Sequence, residues 1–325
     1  MNAETLQRWA NPRVILVATN LADAQILTFH ATSQARESGA KILLVHVLRP
    51  PSLQSEFDPP PASLLTGSQE AVAWEVLDRM TRLIEWQGAP CEPLLAHGDP
   101  VAEIAALVQS REVDRVIVAT RSARGLERLL AGSVAEGLMS AVDVPVCVIG
   151  PHVVAGALSA MPGGQMLVAL SLQHDRADCL RFAGLLASRR RSALTLMHVV
   201  EDGRRTEQER ATARDAAQTS IAALAASVPG IPPGASIVIR EGAVAKSILS
   251  SDICPEWDLI VMGASSRGVV TKLLGNSVVD RVIADARCPV ITIRPSAEQQ
   301  RSLRLSEAEA QFLNRTGGTE QIRHR

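Results

Sequence analysis

The second half of the chain repeats the first half. Residues 114–151 align without a gap with residues 258–295, at a constant offset of 144 residues. A repeat unit of this size is too long for a solenoid and long enough for a whole domain. The 325-residue chain therefore predicts two related domains, which can pack as a built-in dimer.

Each half alternates strand-like and helix-like segments. The continuous apolar run at 14–18 is typical of a strand buried on both faces, and residues 22–37 have the pattern of a helix that Gly39 ends. The predicted strands are 14–18, 41–47, 93–96, 115–119 and 145–149 in the first half, and 166–170, 193–200, 236–239, 259–262 and 289–293 in the second. Strands that alternate with helices predict an α/β fold with a parallel sheet and right-handed crossovers in each half.

The composition argues against several classes of function. A net charge of -1 gives no general affinity for polyanions, and a chain without Tyr, with only four Phe and four Trp, lacks stacking platforms for single-stranded nucleic acid. The five cysteines are widely spaced without a CxxC pair, which favours reduced thiols in the cytoplasm over disulfides or zinc. The start of the chain lacks a secretory pattern, and the uncharged segment 144–161 reads as a strand and a linker. We expect neither a nucleic-acid nor a membrane partner.

The ligand site is expected beyond the carboxyl ends of the strands, where the strand order reverses in a sheet of this kind. In each half the fourth strand is followed by a loop and then by a helix that begins with small polar residues. These are Gly132 and Ser133 in the first half and Asn276 and Ser277 in the second. Free N–H groups at such a helix start can hold a phosphate, while the serines can alternatively cap the helix.

These features resemble a tandem universal stress protein along both halves. The resemblance rests on LERLLAGSVAE, VTKLLGNSVVD and the closing strands PVCVI and PVITI. It implies two Rossmann-like (adenine nucleotide alpha hydrolase-like) domains, each with a five-stranded parallel sheet of order 3-2-1-4-5 and helices on both faces. It also implies that the final strands pair across a pseudo-dimer, which covers an exposed sheet edge. Whether the pseudo-dimer pairs further into a homodimer stays open.

The domains are expected at 1–151 and 165–296, joined by a linker at 152–164. A polar tail follows at 297–325, in which Ser306 and Glu309 form a capping box for one short helix.

The ATP-binding members of that family carry Gly, two residues, Gly, nine residues and then Gly followed by Ser or Thr. The resemblance assigns these positions to Ala119, Ser122, Gly132 and Ser133 in the first copy, and to Gly263, Ser266, Asn276 and Ser277 in the second. Both copies depart from the motif. The methyl group of Ala119 limits a close backbone approach, and a Ser in a left-handed conformation costs about 1–2 kcal/mol. Gly263 lets the backbone of the second copy approach a nucleotide more closely. The first copy keeps the motif's glycine at the helix start, as Gly132.

The family also has an Asp at the end of the first strand and an adenine wall at the end of the second. The first position holds Asn20 and Ser171, and neither supplies the carboxylate that magnesium favours. The second holds Val47 and Val199. The resemblance therefore suggests ATP as the cofactor, although both halves depart from the ATP-binding motif. We predict no catalytic residues and no metal site.

Three histidines have simple structural explanations. His46 and His198 recur at equivalent places and are expected to be buried, hydrogen-bonded imidazoles in strands rather than metal ligands. His97 has Glu241 as its counterpart, and Asp99 before Pro100 is expected to cap a helix.

Three functions are compatible with this pattern. The broken motifs favour a regulatory, non-catalytic stress-response protein that acts as a pseudo-dimer through conformation or a protein partner. The alternatives are an adenine-nucleotide-binding sensor with slow hydrolysis or autophosphorylation, and a carrier of another small ligand in the same cleft.

Overall fold

The computed structural model describes residues 1–49, 66–120, 133–155, 163–172, 177–201, 206–250, 257–263 and 277–294. Its helices are α1 Ala3–Ala10, α2 Ala24–Ser38, α3 Thr66–Trp86, α4 Pro100–Ser110, α5 Ser133–Ala141, α6 Ala177–Arg190, α7 Glu207–Ser227, α8 Val244–Leu249 and α9 Val278–Asp285. Its strands are β1 Val14–Ala18, β2 Lys41–Leu48, β3 Cys91–His97, β4 Arg115–Ala119, β5 Val146–Ile149, β6 Gln165–Leu170, β7 Ala193–Val200, β8 Ser236–Glu241, β9 Leu259–Gly263 and β10 Val290–Ile293.

All ten strands form one sheet, in the order β3-β2-β1-β4-β5-β10-β9-β6-β7-β8. Within each half the strands are parallel, and the two halves meet where β5 pairs antiparallel with β10. Cys147 lies opposite Ile291, its own counterpart at the offset of 144 residues. The predicted α/β fold class is confirmed, and the β5–β10 pairing removes one open edge from each half.

Helices cover both faces of the sheet. Helices α1, α2, α3, α6 and α7 contribute to an apolar core on one face, and α4, α5, α8 and α9 contribute to a second core on the other. The strands β1, β4 and β5 are buried on both faces of the sheet, which explains why their sequences are mostly apolar. Among the residues that the structure describes, no helix combines the length and the apolar character that a membrane crossing requires.

Backbone caps fix the ends of several elements. Gly39 ends α2 in the left-handed conformation, and Asp99 caps α4 by accepting from the N–H groups of Val101 and Ala102, as predicted. Asp114, just before β4, accepts from the N–H groups of Arg13 and Val14 at the start of β1. Its counterpart Asp258 accepts from Gln165 N–H at 2.6 Å. The same carboxylate thus orders the first strand of each half.

Helix α1 is an element that the sequence analysis does not predict. It begins after Asn2, whose side chain accepts from the N–H of Thr5, and it buries Leu6, Trp9 and Ala10. It packs against α6 of the second half. The spacing of its three buried residues is the helical signal that marks it.

The joint between the halves, which is the β5–β10 pairing and the helices beside it, contains buried polar groups. The Arg115 guanidinium donates to Gln34 Oε1 at 2.8 Å and to the Trp9 carbonyl at 2.6 Å, and burial lowers its pKa to about 10. Gln34 Nε2 in turn donates to Cys147 Sγ at 3.3 Å. Arg190 of the second half forms an ion pair with Glu37 of the first at 3.2 Å. The ion pair thus joins the halves in addition to apolar packing, while the Arg115 hydrogen bonds order the first-half side of the contact.

Candidate functional site

The carboxyl ends of the central strands form the candidate site of each half. In the first half β1 lies between β2 and β4, so Asn20, Val47 and Ala119 lie along the same end of the sheet. In the second half the same order brings Ser171, Val199 and Gly263 to the equivalent end. The predicted site residues Ser122, Gly132, Ser266 and Asn276 lie outside the described residues.

An open cleft lies at this end of the first half. It has a volume of about 290 Å³ and is lined by Arg49, Asp99, Val101, Ser133 and Val134. Of the predicted site residues, only Ser133 contributes to this lining. Arg49 follows β2 and Asp99 precedes α4, so these residues meet only because parallel strands end at one edge of the sheet. A positively charged residue directly after the second strand is the sequence signal that could have identified Arg49.

The turn after β1 uses its polar groups locally. Asn20 is exposed, and its Oδ1 accepts from the N–H of Ala22 at 3.0 Å. Thr19 Oγ1 donates to Asp23 Oδ1 at 2.8 Å and accepts from the N–H of Leu21. The carboxylate nearest to the end of β1 in sequence is therefore the buried Asp23, which the sequence analysis did not consider. Its hydrogen bond with Thr19 orders the turn.

The two helix starts differ in what their serines do. Ser277 caps α9, because its Oγ accepts from the N–H of Asp280 at 3.2 Å. This is the capping alternative expected from the sequence. Ser133 is the first residue of α5, is exposed and lines the first-half cleft.

His46 and His198 make the same hydrogen bond in the two halves. The Nδ1–H of His46 donates to the carbonyl of Thr19 at 2.9 Å, and that of His198 donates to the carbonyl of Leu170 at 2.9 Å. Burial lowers the pKa of His46, which favours the neutral ring. The predicted hydrogen bonds are confirmed, but the prediction of buried rings is wrong, since both histidines are half-buried at the ends of their strands.

His97 and Glu241 occupy equivalent positions, and each pairs with a side chain of the helix that precedes its strand. His97 Nε2 lies 2.9 Å from Glu70 Oε1 of α3, and Glu241 Oε1 lies 3.5 Å from Arg214 Nη1 of α7. Both partners of the first pair are 144 residues before those of the second. The duplication has therefore kept the link between the third strand and its helix, with the acidic partner on the helix in the first half and on the strand in the second.

The described residues offer no ready metal centre. Within the described ranges, no group of three or more His, Cys, Asp or Glu side chains is arranged to hold a metal ion. Among the described residues, Cys91, Cys147, Cys179 and Cys288 take part in no disulfide bond. Burial raises the pKa of Cys91 to about 11, so its thiol stays protonated near neutral pH.

Comparisons with known proteins agree with this architecture. The model of the universal stress protein family matches residues 12–150 and 164–294. A universal stress protein of Methanocaldococcus jannaschii is 27% identical over 143 residues, which cover 42% of this chain and 80% of that protein.

Solved structures share the fold of the whole tandem. A universal stress protein from Archaeoglobus fulgidus is 23% identical with a TM-score of 0.63, covering 87% of this chain and 99% of that chain. A functionally unknown protein from Pseudomonas aeruginosa PAO1 is 16% identical with a TM-score of 0.58, covering 93% and 99%. Because the family model matches two stretches that together make up most of the chain, the protein belongs to the universal stress protein family, with one family domain in each half.

Proposed function

We propose that this protein is a regulatory stress-response protein that acts as a tandem-domain pseudo-dimer and catalyses no reaction. The observation that carries the proposal is the local use of polar groups at the candidate sites. Asn20 Oδ1 accepts from Ala22 N–H, and Ser277 Oγ accepts from Asp280 N–H. Groups that stabilise their own backbone in this way are not arranged to bind a metal ion and a reacting phosphate.

The proposal includes the limits and the location of the two domains. We assign domain one to 1–151, the linker to 152–164, domain two to 165–296 and the tail to 297–325. The joint of β5 and β10 supports this division because it is the one antiparallel pairing in the described sheet. We propose a cytoplasmic location, which the reduced state of the four described cysteines supports.

The test of non-catalytic function is a turnover assay on the full chain. Purified protein is incubated with ATP and magnesium, and released phosphate and phosphorylated protein are measured over hours. We expect neither to exceed the level of a heat-denatured sample. Turnover that is lost in Gly263→Val would contradict the proposal, since that variant places a branched side chain at the predicted nucleotide position.

A second candidate function is reversible binding of an adenine nucleotide without turnover. The open first-half cleft favours it, since Arg49 and the start of α5 offer a cation and backbone N–H groups to an anion. Calorimetric titration with ATP and magnesium tests this candidate. Binding at millimolar or lower concentration supports it, and the absence of heat at millimolar ATP rejects it.

A further inference from the structure

The exposed apolar side chains of the described residues are concentrated on α3. Within the described ranges, four of the six large apolar side chains that are exposed belong to this helix: Val72, Trp74, Leu83 and Trp86. Trp86 is 83% exposed and Val72 is 53% exposed. Single exposed apolar residues are common on protein surfaces, whereas a group of them on one element marks an interaction site. The outer side of α3 is therefore a candidate interaction surface.

The outer face of α3 has a charged centre and apolar flanks. The side that packs on the sheet consists of Ala73, Leu77, Met80 and Ile84, which are all buried. At about 3.6 residues per turn, Glu75 and Arg82 lie directly opposite that buried side. Val72, Leu83 and Trp86 share one flank of this centre, and Trp74 lies on the other flank. We call these six residues, Val72, Trp74, Glu75, Arg82, Leu83 and Trp86, the outer face of α3.

The equivalent helix of the second half has no such apolar face. At the offset of 144 residues, α7 keeps the buried positions, since Ala217 and Ile221 are buried like their counterparts Ala73 and Leu77. The positions that match the apolar outer residues are exposed and hold Ala216, Gln218, Ser227 and Gly230. Both halves thus pack the same side of this helix on the sheet, but only the first half exposes large apolar side chains on the other. The fold does not require them.

The charges of α3 are arranged so that two copies of the helix complement each other. Glu75 pairs with Arg79 at 3.3 Å and Asp78 pairs with Arg82 at 2.7 Å, and all four side chains are exposed. The acidic members come first along the helix and the basic members follow. In an antiparallel pair of α3 helices, Glu75 of one copy faces Arg82 of the other, whereas a parallel pair would bring like charges together.

A membrane or a strongly charged partner fits this face less well. Between Val72 and Trp86 the helix carries three acidic and two basic side chains, the third acid being the exposed Glu85. Helices that lie on anionic membranes carry Lys and Arg on their polar side. A partner of one sign would be attracted by half of this face and repelled by the other half. The balance of charges favours a second copy of the same helix.

We propose that two copies of this chain associate through the outer face of α3, packed antiparallel about a twofold axis. Such a contact uses the same patch on both copies, and it brings Val72 of one copy towards Trp86 of the other. Arg79 lies closest to the axis, and its ion pair with Glu75 offsets the repulsion between the two copies of Arg79. The association goes beyond the pseudo-dimer within one chain and does not depend on a nucleotide.

The apolar part of this contact is tested by sedimentation velocity on the full chain, from about 1 to 100 μM. Leu83→Ser copies Ser227 of the second half, and Trp86→Ala removes the most exposed side chain of the face. Each should weaken dimerisation at least about 10-fold, because each loss occurs twice across the axis. Val154→Ser is the matched control, since Val154 is 62% exposed outside α3, and it should dimerise like the wild type.

The antiparallel orientation is tested by exchanging charges. Glu75→Arg and Arg82→Glu should each weaken dimerisation, and the double variant should restore it, because the two positions face each other across the axis. Asp215→Arg, which changes an exposed acid of α7, is the control and should have no effect. All the changed side chains are exposed, so thermal melts of the variants should stay close to that of the wild type.

Three results would overturn the proposal. The first is a wild-type chain that stays monomeric over the whole concentration range. The second is a dimer that Leu83→Ser and Trp86→Ala leave unchanged, which would place the contact elsewhere on the molecule. The third is a double charge variant that dimerises no better than the single variants. The charge exchange remains decisive even if an apolar variant fails to fold.

Discussion

The two halves share the hydrogen bonds that order their sheets and differ in the exposed residues at the carboxyl ends of their strands. Asp114 and Asp258 order the first strand in the same way, and His46 and His198 make the same hydrogen bond. At the strand ends, by contrast, Arg49 has become Glu201. The duplication has thus been constrained where residues hold the sheet together and has diverged where they meet solvent or a ligand.

The joint itself is asymmetric, because the helices α2 and α6 beside it bury different side chains at equivalent positions. His30 on α2 and Phe182 on α6 occupy equivalent positions, counted back from Gly39 and Arg191, the left-handed residues after each helix. Both side chains are buried, but one is polar and the other apolar.

The largest effect is expected for Phe182→Ala. Phe182 is completely buried, so its truncation should lower the free energy of unfolding by about 3–5 kcal/mol through lost apolar contact and a cavity. Urea denaturation measures the loss, with His30→Ala as the matched variant. A larger loss in His30→Ala would show that the polar position contributes more to the joint than its apolar counterpart.

The next effect is a dependence of stability on pH that comes from the first half. Burial lowers the pKa of His30 from 6.5 to about 4, so the unfolded chain binds a proton in this range and the folded chain does not. Stability should therefore fall by about 3 kcal/mol as the pH falls from 6.5 to 4. His30→Phe, which copies Phe182, should remove this contribution. An unchanged slope in denaturation curves across this range would contradict the assignment.

A smaller effect is expected at the end of β5. A Cβ atom on Gly150 would lie 2.3 Å from the carbonyl oxygen of Ile283 in α9, so the backbone of the second half leaves no room for it. Gly150→Ala should cost about 1–3 kcal/mol. Its counterpart Arg294 should tolerate alanine at about 0.5 kcal/mol or less. Equal losses in thermal denaturation would mean that the joint does not pack closely at Gly150.

The smallest effect is expected for the tether between the third strand and its helix. Installing the pair of the second half, by His97→Glu together with Glu70→Arg, should change stability by no more than about 1 kcal/mol because the pair is exposed. A double-mutant cycle measures the coupling between the two positions. Coupling well above this limit would show that the tether is more than a surface ion pair.

Local sequence signals were sufficient for most of the framework. The strands Val14–Ala18, Arg115–Ala119 and Ala193–Val200 were predicted to the residue because buried parallel strands consist mostly of apolar residues. Helix α1 was missed because its two turns depend on packing against α6, which lies far away in the sequence.

The polar features of the joint and cleft were harder to predict. Arg115 reads as a surface residue, yet it is buried because Gln34 and the Trp9 carbonyl accept its hydrogen bonds from other elements. Arg49 and Ser133 meet in one cleft only after the strands have been ordered into a sheet. The sequence therefore predicts elements well and predicts poorly the contacts that bring distant residues together.

The central claim is that the two halves work as one pseudo-dimer joined by β5 and β10. Hydrogen–deuterium exchange of the full chain tests it most directly, by comparing the amides of Val146–Ile149 and Val290–Ile293 with those of the central strand β1. The joined structure predicts that these amides exchange as slowly as those of β1. Exchange as fast as that of the edge strands β3 and β8 would contradict a stable joint.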